Sequence, residues 1–116
     1  MVDIETFRKL ALSFPGTNEQ PHFEKTSFRV DKKIFATLDI KNNRACLMLT
    51  QIDQSVFSAY DKSVIYPVPN KWGDHGATFV ELRMVRKSML KDALLQAYKK
   101  ITPKKSSLKN IKNDDE

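Results

Sequence analysis

The stretch from Thr26 to Leu49 limits the fold more than any other part of this chain. Three short segments, Thr26-Ser27-Phe28-Arg29-Val30, Ile34-Phe35-Ala36-Thr37-Leu38-Asp39 and Arg44 to Leu49, are separated only by the turn signals Asp31-Lys32-Lys33 and Lys41-Asn42-Asn43. Connections this short join neighbouring strands that run antiparallel. Asparagine tolerates the positive φ that tight hairpins need. The segment therefore reads as a three-stranded antiparallel meander.

Helical and extended patterns flank it. Ile4, Phe7, Leu10, Ala11 and Phe14 recur at helical spacing, which predicts a helix over residues 3–14 with Asp3 as N-cap, stopped by Pro15-Gly16. Thr17 to Glu24 is polar and without period, and reads as a connection. After the meander, Ile52, Val56, Ala59 and Tyr60 can share one face of a short helix from about Asp53 to Tyr60. Ser63 to Tyr66 is a fourth strand, halted by Pro67-Val68-Pro69 because proline cannot donate to a sheet ladder. The loop from Asn70 to Gly76 holds two of the three glycines, and its Gly73-Asp74-His75-Gly76 predicts a tight connection. Thr78, Val80, Leu82 and Met84 then alternate with Phe79, Glu81 and Arg83, the pattern of a half-buried strand. A last helix from about Ser88 to Ile101 buries Leu90, Ala93, Leu94, Ala97, Tyr98 and Ile101, and Pro103 ends it. The order predicts one α+β domain over residues 1–103, α-β3-α-β2-α: a two-layer fold with a five-stranded antiparallel sheet and helices packed on one face. Residues 104–116 read as a polar, flexible tail.

A chain of 116 residues is long enough for one core without covalent staples. Its single cysteine, Cys46, cannot form an internal disulfide. It sits in the apolar run Ala45 to Leu49 and reads as a small core residue. No apolar stretch approaches the ~18 residues that span a membrane, and the N-terminus lacks the charge pattern of a signal peptide. The expected location is the cytoplasm, with no membrane partner and the chain a monomer. Net charge is +6, with sixteen basic and eleven acidic residues before Pro103, so the excess belongs to the domain and favours polyanionic partners.

Catalytic and metal chemistries find no complete residue set. His22 and His75 are the only histidines and stand in separate segments. Ser88-Met89-Leu90-Lys91 matches a nucleophile motif in letters, but Ser88 occupies a helix N-cap position. The glycines at 16, 73 and 76 make no phosphate-cradling loop. The expectation is a non-enzymatic protein without metal or cofactor. The positive signal is basic residues near aromatics. Lys25, Arg29, Lys32 and Lys33 cluster around the first hairpin, and Lys41 and Arg44 flank the second, where they can reach phosphates of nucleic acid in a salt-dependent manner. The same residues also suit a solubilising surface that protects strand edges. A different class of site, for a small ligand or a protein, is a groove around His22, Phe23, Tyr66, Lys71, Trp72 and His75.

Phe14-Pro15-Gly16-Thr17 with Pro21-His22-Phe23 and Phe28-Arg29-Val30, then Lys33 to Leu38, Tyr66 to Gly73 and Leu94 to Tyr98, follow one another in an order that resembles the MmcQ/YjbR family of small bacterial proteins. The resemblance runs from about residue 3 to 104. It implies an α-β3-α-β2-α fold and DNA binding by a proposed double-wing arrangement in which hairpins reach the duplex. Relatives often carry Trp just before the last strand, where this chain has Ala77 after Gly76, and Trp72 is the aromatic nearby.

Overall fold

The chain is described by a computed structural model over residues 1–102, and the expected polar tail, residues 104–116, lies outside the described residues. In chain order the elements are α1 (Ile4–Leu12), β1 (Thr17–His22), β2 (Lys25–Val30), β3 (Lys33–Asp39), β4 (Arg44–Met48), α2 (Gln51–Ser58), β5 (Ile65–Pro67), α3 (Lys71–Asp74), β6 (Ala77–Glu81) and α4 (Lys87–Ile101). The sheet is antiparallel throughout, ordered β1-β2-β3-β4-β6-β5. The α+β class and the meander hold. The sheet has six strands rather than five, because the polar segment read as a connection is β1.

That strand has no fully buried side chain, so no apolar alternation marks it. It is held by backbone pairing with β2 from Thr17↔Val30 to His22↔Lys25. One side-chain clasp adds to this: Arg8 on α1 donates from Nη2 to Glu19 at 2.8 Å and from Nε at 3.0 Å. The edge position also explains how Pro21 is accommodated, since its missing N–H costs no ladder bond where, among the described residues, no further strand pairs.

The core lies between the sheet and α1, α2 and α4. Two rows of side chains face it. Thr26, Leu38, Ala45, Val80 and Ile65 form one row, and Phe28, Ala36, Leu47 and Thr78 the next. Against them pack Phe7 and Ala11 of α1 and Leu90, Ala93, Leu94 and Ala97 of α4. Each fully buried large side chain contributes about 1.5–3 kcal/mol of transfer free energy. Phe14, Phe35 and Tyr98 close one end, with Phe14 and Tyr98 stacked at 4.9 Å and Phe35 edge-on to both.

Three local expectations change. Ile52, Val56 and Tyr60 do not face the core: they are 77%, 52% and 68% exposed, and α2 is anchored instead by Phe57. The last strand ends at Glu81, so Leu82 is buried in the following turn while Met84 is exposed. Ser88 is not an N-cap, because α4 begins one residue earlier and Arg86 takes that position without a side-chain bond. Asp3 does cap α1, accepting from the Thr6 N–H at 2.7 Å.

The predicted tight connection before β6 is a single helical turn, α3. A Cβ on Gly73 would lie 1.8 Å from the Val68 carbonyl oxygen, and one on Gly76 would lie 1.8 Å from that of Leu49. Gly76 also has φ +105, which only glycine adopts readily. These two positions let α3 lie directly against the chain before it, and so set where Trp72 stands.

Candidate functional site

The face of the sheet away from α1, α2 and α4 is the open one. Pairing register puts Gln20, Ser27, Thr37, Cys46, Phe79 and Tyr66 in one row across all six strands of this face. Asp39, Arg44 and Glu81 form the neighbouring row. These are the positions that alternate with the buried ones, and they mix apolar, small polar and charged side chains.

A cavity of about 520 Å³ opens on this face. Its floor is Thr37, Cys46, Met48 and Phe79, with Ile34 and Ala77 beside them. The turn between β1 and β2 supplies His22, Phe23 and Lys25, and the segment around α3 supplies Val68 and Trp72. Phe23 is 95% exposed and Trp72 is 63% exposed. Phe23 also has φ +59, a left-handed conformation uncommon for a bulky residue. The tight turn is thus built with an aromatic where Gly or Asn would fit at lower cost, and that aromatic is directed to solvent beside the cavity. His22 meets the Phe23 ring edge-on at 4.9 Å.

The polar groups of the face form a linked set around Phe79. Arg44 donates from Nε to Glu81 at 3.1 Å, and its guanidinium lies 4.6 Å from the Phe79 ring centre. The Tyr66 hydroxyl donates to the same Glu81 carboxylate, and the Tyr66 ring meets Phe79 edge-on at 5.7 Å. Burial raises the Tyr66 phenol above its ordinary value, and the Glu81 bond and charge add to that. Burial likewise raises the Cys46 thiol. Cys46 is therefore not the core residue its apolar run implied; it is a partly exposed floor residue, held neutral at ordinary pH. Among the described residues no group of three His, Cys, Asp or Glu side chains could hold a metal ion. Among them, too, no helix is long and apolar enough to cross a membrane.

The model of the YjbR family matches residues 12–100. The chain belongs to the YjbR family. The crystal structure of the Deinococcus radiodurans protein DR2400, domain DUF419, superposes on this YjbR-family chain with a TM-score of 0.76 at 22% identity. The match covers 90% of this chain and 81% of that one, and it is a likeness of fold. No curated protein matches.

The YjbR fold separates the residues picked out for nucleic acid. Lys32 and Lys33 lie at the β2–β3 turn; Lys25, Lys41 and Arg44 lie at the opposite end of those strands. Arg29 is turned back on the sheet, donating from Nε to the buried Ser27 hydroxyl at 2.9 Å. Arg44 is held to Glu81 through Nε, with its guanidinium over Phe79 on the open face. Of the groove set, His22, Phe23 and Trp72 meet at the cavity. Tyr66 acts from behind Phe79, while Lys71 and His75 belong to α3 and its cap and do not line the space. The floor residues Thr37, Cys46, Met48 and Phe79 were missed, although each occupies the alternate position between buried neighbours on its strand.

Proposed function

We propose that this YjbR-family protein is a non-enzymatic binding module whose site is the open face of its sheet, and that it takes a small ligand with substantial apolar surface. One observation carries the reading: a cavity of about 520 Å³, within the size range of ligand pockets, is flanked by two exposed aromatic side chains, Phe23 and Trp72. An aromatic at positive φ that contributes nothing to the core favours a role outside folding. The test uses N-phenyl-1-naphthylamine, a neutral dye that brightens in apolar surroundings. Saturable one-to-one binding is expected, with energy transfer from Trp72, the sole tryptophan. Placing a charge on the floor with Phe79→Asp should weaken binding by about tenfold or more, a shift near 1.4 kcal/mol. Binding that never saturates, or that ignores Phe79→Asp in a folded variant, overturns the reading.

A second reading is DNA contact through the hairpin turns. Its support is that Lys32, Lys33 and Lys41 are exposed at the turns and make no ion pair among the described residues, in a chain of net charge +6. Such contacts release counterions and bind phosphate without reading bases.

A further inference from the structure

We infer that the ligand of the open face is a flat apolar body carrying one anionic group, with the anion seated between Lys25 and Arg44; this rests on the open-face reading above. The main cavity continues into an alcove of about 80 Å³, and Lys25, Thr37, Cys46 and Phe79 line both spaces. The body of a ligand on Phe79 therefore has its next available space at the end where Lys25 and Arg44 stand.

Lys25, Thr37 and Arg44 bring uncommitted donors to that alcove, and Asp39 is the carboxylate that lines it beside them. The Lys25 ammonium makes no ion pair among the described residues. Arg44 uses only Nε for Glu81, and its two terminal nitrogens have no partner among the described residues. The Thr37 hydroxyl is likewise uncommitted there. The two carboxylates nearby already have partners, and the Lys25 and Arg44 charges help hold Asp39 ionised. Asp39 accepts from the backbone and side chain of Asn42 at 3.3 Å and 2.8 Å. Glu81 already accepts from both Arg44 and Tyr66. Formal charge at this end is nearly balanced, so the preference comes from oriented donors beside an apolar floor, where a charge-assisted bond is stronger than in water. The aromatic setting of Phe23, Phe79 and Trp72 favours a flat body over a flexible chain.

A matched pair of probes isolates the anion. 8-Anilino-1-naphthalenesulfonate is N-phenyl-1-naphthylamine with one added sulfonate. The expected result is that the sulfonate binds about tenfold tighter, and that Lys25→Gln, which alters the cavity lining for both dyes, brings the ratio of the two affinities close to one. Lys91→Gln, at an exposed position of α4, should leave the gain intact. Equal affinities for the two dyes, or a gain that survives Lys25→Gln, overturn the inference and leave the open-face reading standing. If neither dye binds, both fall. Displacement of the sulfonate dye by 2-naphthoate and by 2-naphthyl phosphate then separates a carboxylate ligand from a phosphate one. Either displacing at lower concentration than 2-naphthol supports the inference, and neither doing so counts against it.

Discussion

Phe23 concentrates the conflict between local preference and use. A non-glycine residue in the left-handed region costs about 1–2 kcal/mol, and Asn is the side chain that bears it best after glycine. At 95% exposure, Phe23 recovers almost none of that cost by burial. Phe23→Asn should therefore leave the unfolding free energy from urea titration unchanged or raise it by up to about 1 kcal/mol. The same change should lower affinity for the neutral dye about tenfold, since it removes one wall of the cavity. A parallel fall in stability and binding would show that Phe23 serves the fold. The sequence placed Phe23 and Trp72 among the candidates because they are aromatics in turn-rich segments. It placed Cys46 in the core, because an apolar run does not reveal which of its alternate members faces inward. Only the register Thr37↔Cys46↔Phe79 assigns that face.

At the scale of elements, legibility followed burial. The helices α1 and α4 and the strands β2, β3, β4 and β6 each carry an apolar period, and each was found. β1 carries none, because an edge strand held by backbone pairing and the Arg8–Glu19 clasp needs no buried side chain. The face of α2 was misassigned because Ile52, Val56 and Tyr60 repeat at helical spacing yet point to water, while the single Phe57 anchors the helix. The short β5 shows a link between strand and site. Tyr66 lies on it and reaches across to Glu81 on β6, which in turn holds Arg44 over Phe79. The folded state favours the neutral phenol, so its pKa is raised relative to the unfolded chain. That contribution is complete at neutral pH. It begins to fade as pH rises past the unfolded value near 10, and it is lost above the folded-state value. Urea midpoints of the wild type should thus fall more steeply above pH 10 than those of Tyr66→Phe. Identical alkaline slopes would mean that folding does not shift the Tyr66 phenol, through burial or through Glu81.

At the scale of the whole molecule, the distribution of charge decides between the two kinds of partner. β3 is seven residues long, so its two ends lie roughly 20 Å apart at the usual rise per residue. Lys32 and Lys33 occupy one end, and Lys25 and Lys41 the other. Of these four lysines a small ligand in the open-face cavity meets Lys25, whereas a duplex lying along the strands could meet both ends. The two readings therefore predict different salt behaviour. If the hairpins bind duplex DNA, affinity should fall steeply with salt, and Lys32→Gln with Lys33→Gln should flatten the log–log slope by about 2, close to one unit for each phosphate no longer neutralised. Binding of the naphthyl dyes should not change in that double variant, because neither lysine lines the cavity. Fluorescence anisotropy of a labelled duplex at several salt concentrations, run beside dye titrations on the same two proteins, makes the comparison. A slope unaltered by the double variant removes the β2–β3 turn from any DNA contact. Impaired dye binding instead would mean that the two ends of the sheet are coupled through β3, since its strand runs from Lys33 directly to the floor residue Thr37.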